Sequence, residues 1–72
     1  MSQEQFVASI LLMGFKYQPD FCSDVYYIHV KNKICYVQID DDVIKISKIN
    51  HPHGQRYISY ILAYHDIIED LS

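Results

Sequence analysis

The chain is poor in the residues that build loops and sites. Two glycines, two prolines, two cysteines and no tryptophan occur in 72 residues. With only Gly14 and Gly54 available, neither a Walker loop nor a dinucleotide-binding fingerprint can be assembled. Cys22 and Cys35 lack the dense, even spacing of a secreted disulfide framework and do not form a C-x-x-C redox pair, so both read as reduced structural thiols. Long apolar runs are missing too. The longest stretch, FVASILLMGF, is too short to cross a bilayer and follows Gln3, Glu4 and Gln5 rather than a basic segment, so it reads as neither anchor nor signal peptide. No membrane partner and a cytoplasmic location are expected. Basic charge is also scarce, with Arg56 the single arginine and a formal net charge of −3. A phosphate backbone is therefore a disfavoured partner.

What the chain does have is isoleucine and tyrosine. Seven tyrosines and eleven isoleucines stand against two alanines, a usage that fits an AT-rich gene and hints at a phage, mobile-element or low-GC bacterial source. A chain of this length makes one small domain with little stability to spare and little room for a deep cleft.

The periodicity divides the chain into helix, sheet and helix. Ser2 followed by Gln5 has the form of a capping box, Phe6, Val7, Ile10, Leu11 and Met13 recur at helical spacing, and Gly14 suits a helix stop. A first helix over about residues 3 to 13 follows. From Val25 the period becomes two, and Tyr26, Ile28 and Val30, then Cys35, Val37 and Ile39, then Ile44 and Ile46 form one alternating apolar set. Three antiparallel strands facing one core satisfy that pattern. Two-residue turns at Asn32-Lys33 and Asp41-Asp42 pair Val30 with Cys35, Ile28 with Val37, Ile39 with Ile44 and Val37 with Ile46. FKYQPD before the meander adds at most a short edge strand, since Pro19 cannot donate to a ladder.

INHPHGQRY raises a separate question. Pro52 suits the first turn of a helix and Asn50 or His51 can cap it, so HPH reads as the entrance to a second helix over about residues 53 to 71. A zinc site at His51 and His53 would need further ligands, and Cys22, His29, Cys35 and His65 offer no standard spacing. No metal and no cofactor are expected. On the second helix, Tyr57, Ile61, Tyr64, Ile68 and Leu71 draw a seam toward the sheet, with helix one beside it covering Ile58 and Leu62. Tyr60 and Ile67 are left for a partner or homodimer contact, and His65 reads as a half-buried, hydrogen-bonded residue. The fold class is α+β, a two-layer α-β-β-β-α domain with both helices on one face of the sheet.

The opposite face of the sheet then lies open. The same register sets Tyr27 against Gln38, His29 against Tyr36, Gln38 against Lys45 and Tyr36 against Ser47. Tyrosines on an exposed sheet carry large apolar area with polar tips, a composition enriched at interface hot spots. The row His29, Tyr36, Ser47 is the nearest approach to a catalytic arrangement, but Tyr36 separates the base from the nucleophile and no acid orients His29. An enzyme is not expected. The α-β-β-β-α order resembles that of double-stranded RNA-binding domains, which implies an RNA ligand. That family opens its second helix with a lysine cluster, whereas HPHGQRY brings Arg56 alone, and Lys31, Lys33, Lys45 and Lys48 are offset by Asp40, Asp41 and Asp42. The sequence reading is a small acidic protein-interaction module, a phage or mobile-element inhibitor that sterically blocks a larger host protein, including one of a defence system. It would bind through Tyr27, His29, Tyr36, Gln38, Lys45, Tyr60 and Ile67. A nucleic-acid-binding regulator is the alternative.

Overall fold

The structure is a computed structural model that describes residues 1–19, 24–48 and 51–71, the side chains of His51 and Pro52 excepted. Helix α1 spans Gln3–Leu12. Its capping box is present: Ser2 Oγ accepts from the Gln5 amide at 3.2 Å, and Gln5 Oε1 accepts from the Ser2 amide at 2.9 Å. Gly14 turns the chain with a φ of 110°, after which the Phe15 N–H returns to the Ile10 carbonyl at 3.1 Å. Phe15 thereby enters the core instead of continuing along the surface.

Five antiparallel strands follow in one sheet, ordered as in the chain: β1 Lys16–Tyr17, β2 Asp24–Val30, β3 Lys33–Asp40, β4 Val43–Lys48 and β5 His51–Tyr57. Helix α2, Tyr60–Leu71, closes the fold. The class is α+β, and β1 is the short edge strand that FKYQPD suggests.

The turn between β3 and β4 falls at Asp41-Asp42, and the expected pairs Ile39 with Ile44, Val37 with Ile46, Gln38 with Lys45 and Tyr36 with Ser47 are formed. The other hairpin differs. Its turn is Lys31-Asn32, with Lys31 at a φ of 56°, so Val30 pairs with Lys33, Ile28 with Cys35 and Tyr26 with Val37. The shift is two residues, which changes every partner but leaves each side chain on its expected face.

HPHGQRY is a strand rather than a helix entrance. It pairs Tyr57 with Ile44, Arg56 with Lys45 and Gln55 with Ile46, then shifts register before His51 meets Lys48. Pro52 is tolerated because β5 is an edge strand. Asn50, named as a cap, lies outside the described residues. The helix begins seven residues later than expected, at Tyr60 against about 53, with the Ser59 carbonyl accepting from the Ala63 amide at 3.1 Å.

The core lies between the sheet and both helices. Tyr26, Ile28, Cys35, Val37, Ile39, Ile44 and Ile46 from the sheet meet Phe6, Ile10, Ala63 and Ile67 from the helices. Helix α2 is rotated from its expected phase. Ala63 and Ile67 are fully buried with Tyr60, Tyr64 and Leu71 packed against them, whereas Ile61 and Ile68 point outward. Ala63 explains the choice, since a methyl group lets the helix approach the sheet more closely than isoleucine would. Nor does α1 cover Ile58 and Leu62, which are 87% and 57% exposed, and His65 is exposed beside them.

Candidate interaction surface

Alternation along the five strands gives the face away from the helices. It carries Lys16 of β1, Val25, Tyr27 and His29 of β2, Ile34, Tyr36, Gln38 and Asp40 of β3, Val43, Lys45 and Ser47 of β4, and Gly54 and Arg56 of β5. Neither helix covers this face, since both pack into the core on the other side.

Tyr27 and Tyr36 are directly paired across β2 and β3, with ring centroids 6.2 Å apart and planes tilted by 32°. Lys16 lies opposite Tyr27 and Ser47 opposite Tyr36, so the central row reads Lys16, Tyr27, Tyr36, Ser47. The pairing of tyrosine with tyrosine replaces the expected pairing with Gln38 and His29. His29 instead meets Ile34, so His29, Tyr36 and Ser47 do not share a row. Tyr36 is 47% exposed, which leaves one side of its ring available.

A second row crosses β3, β4 and β5 as Gln38, Lys45 and Arg56. Gly54 sits beside it with a φ of 79°, and a Cβ there would lie 2.7 Å from Lys45 Cε and 2.9 Å from Ser47 Oγ. The absence of a side chain at Gly54 therefore makes room for Lys45 to lie along the sheet. Two shallow depressions flank the Tyr36–Gln38 segment. One, of about 360 Å³, is lined by Gln38, Asp40, Asp41, Val43, Lys45 and Arg56. The other, of about 400 Å³, is lined by Gln18, Pro19, Val25, Tyr36, Gln38 and Ser47.

Charge is divided between the two layers. The open face carries Lys16, Lys45 and Arg56 against Asp40, with Asp41 lining the depression at its rim. The helical side carries Glu4, Asp66, Glu69 and Asp70, and draws Lys48 and Lys33 toward it. Lys16 and Arg56 were not among the sequence candidates, because each becomes part of this face only once β1 and β5 join the sheet. The overall acidity of the chain conceals a face where cations outnumber carboxylates.

The remaining candidates are placed differently. Ile67 is fully buried and so belongs to the core, while Tyr60 is half-buried and packs on Phe6 with ring centroids 5.3 Å apart. Burial pushes the Cys35 thiol up to about 12, with the Asp70 charge adding to the shift, so the thiol stays protonated and poorly nucleophilic at neutral pH. Cys22 lies outside the described residues. His53 is exposed on β5, and the described residues contain no group of three His, Cys, Asp or Glu side chains able to hold a metal. Among the described residues no helix is long and apolar enough to cross a membrane. No family model, no curated protein and no solved structure matches this chain.

Proposed function

We propose that the protein is a non-catalytic binding module whose open sheet face docks on a larger protein and blocks it sterically. The observation that carries this reading is the uncovered Tyr27–Tyr36 pair at the centre of that face. Paired tyrosines offer a rigid, amphipathic anchor with few rotamers to lose on binding. Lys16, Lys45 and Arg56 around them suit a partner surface that presents carboxylates, and the two depressions beside Tyr36 suit its protruding side chains. The isoleucine-rich, alanine-poor composition supports a phage or mobile-element origin, and with it an inhibitor of a host or defence protein acting in the host cytoplasm.

The test is affinity capture from host lysate with and without nuclease, repeated with Tyr27→Ala/Tyr36→Ala. A stoichiometric protein retained after nuclease, and bound about tenfold or more weakly by the double variant, supports the reading. Retention unchanged by the two substitutions overturns it.

A second reading rests on the same cations. Tyrosines flanked by Lys16, Lys45 and Arg56 are also the ingredients of a single-strand nucleic-acid platform, with bases stacked on the rings and phosphates beside the cations. Capture that disappears with nuclease favours it. Three phosphate contacts would then give a logarithmic salt slope of about −2.

A further inference from the structure

The register of the sheet polarises the molecule along its strands. Asp24, Asp40 and the Asp41-Asp42 turn lie at one end, where Asp24 pairs with Ile39 and Asp40 with Val43. Lys16, His29, the Lys31-Asn32 turn, Lys33 and Lys48 lie toward the other. Two of those cations are already engaged, Lys48 with Asp66 and Asp70, and Lys33 with the Asp70 carbonyl. Among the described residues no carboxylate forms an ion pair with Lys16 or Lys31.

A depression opens beside Lys16, at the outer edge of β2. Strand β1 pairs only with Tyr26 and Tyr27, so no β1 residue stands opposite Ile28, His29 or Val30. Gly14, with its φ of 110°, turns the chain aside there. The space left is about 240 Å³, and Lys16, Tyr27 and His29 line it together with Met13, Ile28 and Val30. None of these is a carboxylate. The depression beside Lys45 and Arg56 differs, because Asp40 and Asp41 share it and offset its cations.

We propose that the depression at the β2 edge receives a glutamate side chain of the protein on which the open face docks. The inference rests on that docking reading, since Lys16 and Tyr27 belong to the same face, and it names the chemistry at one edge of the contact. Charge is the first argument. The Lys16 ammonium calls for an anion, Lys31 adds to the field from the adjoining turn, and the Tyr27 hydroxyl and a His29 ring N–H are donors from which a carboxylate accepts. Size is the second. Pockets for cofactors and drug-sized ligands run from roughly 300 to 1,000 Å³, so this one suits a single side chain. The walls are the third: Met13, Ile28 and Val30 offer apolar surface, and Val30 is 41% exposed. The methylenes of glutamate match that surface, whereas a bare phosphate has nothing to place on it.

Amide NMR of the full chain, titrated with N-acetyl-glutamate methylamide, tests the site without the partner. Saturable shifts are expected at Lys16 and from Tyr27 to Val30, with dissociation on the order of 10 mM, as suits one ion pair with little apolar cover. The glutamine analogue should leave these amides unmoved. Lys16→Met should weaken glutamyl binding about threefold while the rest of the spectrum stays in place. No saturable shift up to about 100 mM probe overturns the proposal. So does an equal response to the glutamine analogue, or tighter binding of inorganic phosphate at the same amides. Failure of the two readings is legible separately. Lysate capture that depends on Tyr27 and Tyr36, in a chain that binds no glutamyl probe, removes this inference alone; glutamyl binding in a chain that captures no protein overturns the partner's part in it and leaves only a carboxylate site.

Discussion

Lys48 Nζ lies 2.7 Å from Asp66 Oδ1 and joins the end of β4 to the middle of α2. The contact is one part of a small polar seam around the edge of the core. Asp70 Oδ1 stands 3.9 Å from the same ammonium, the Tyr57 hydroxyl donates to Asp66, and Lys33 reaches the Asp70 carbonyl. Burial alone would lower the pKa of Lys48, but the hydrogen bond to Asp66 and the charges of Asp66 and Asp70 outweigh it and raise it. The phase of α2 is set partly here, since rotating the helix to bury Ile61 and Ile68 would carry Asp66 away from both partners. The pair is half-buried, so its worth should exceed that of an exposed ion pair and fall short of a fully buried one. A double-mutant cycle with Lys48→Met and Asp66→Ala, read by urea denaturation, is expected to give a coupling of ~1–2 kcal/mol. A coupling near zero would mean that apolar packing alone orients the helix.

The apolar side of the same question is answered by two isoleucines at different positions around α2. Ile67 is fully buried, whereas Ile61 is 43% exposed. Ile67→Ala leaves a cavity between α2 and the sheet and should cost about 2–4 kcal/mol, whereas Ile61→Ala should cost under about 1 kcal/mol. Denaturant midpoints of the two variants at sub-micromolar protein provide the comparison. The reverse order of costs would restore the seam through Ile61 and Ile68.

How far the sequence could be read depended on which physical signal each segment carried. Ser2, Gln5 and Gly14 announce α1 because capping chemistry is local, and Asp41-Asp42 announces its turn because aspartate tolerates a positive φ. The other hairpin was displaced because lysine rather than asparagine takes the left-handed position, and a shift of two residues leaves the alternation of buried and exposed positions unchanged. Strand β5 was hidden for another reason. HPHGQRY has no apolar alternation, and its strand conformation comes from pairing with β4, a non-local contact that no propensity records. With β1 reduced to Lys16–Tyr17 and β5 unseen, Lys16 and Arg56 were lost from the open face, and its positive character with them. On α2 the apolar residues cover more than half the circumference, so periodicity could not choose a phase. Ala63 and the Lys48–Asp66 contact choose it.

Alkaline pH should unfold the protein well before the usual limits of backbone chemistry. Burial pushes both the Cys35 thiol and the Tyr57 hydroxyl up to about 12, with the Asp66 hydrogen bond contributing at Tyr57, and it also raises Tyr26 and Tyr60. Each group is an acid held protonated by the fold. The native state thus binds protons more tightly than the unfolded chain, and stability is complete below the ordinary values of 9.0 for the thiol and 10.0 for tyrosine. It is lost progressively as pH rises from there toward 12. Lys48 acts in the same direction, since its raised pKa gives stability that disappears as the ammonium deprotonates. Urea midpoints measured from pH 8 to 12 should be flat at first and then fall steeply above about 9. Cys35→Ala, despite its lower overall stability, should show a later onset, and an identical onset would remove the thiol from this account.

Gly54 links the stability of the sheet to the shape of its open face. The residue holds a φ of 79°, where an L side chain is strained, and an added Cβ would lie 2.7 Å from Lys45 Cε, 2.9 Å from Ser47 Oγ and 3.0 Å from Lys45 Cγ. Two costs are therefore combined in Gly54→Ala: backbone strain of about 1–2 kcal/mol, and crowding of Lys45 and Ser47. They can be separated because the long side chain of Lys45 can be truncated without touching the backbone at Gly54. Introduced alone, Gly54→Ala is expected to destabilise the protein by about 2–3 kcal/mol; in a Lys45→Ala background the loss should fall to about 1–2 kcal/mol, the part owed to the backbone and Ser47. Equal losses in the two backgrounds would show that Lys45 moves aside without cost. In that case Gly54 serves only the positive-φ backbone within β5, and the position of Lys45 beside Gln38 and Arg56 is held by its own strand alone.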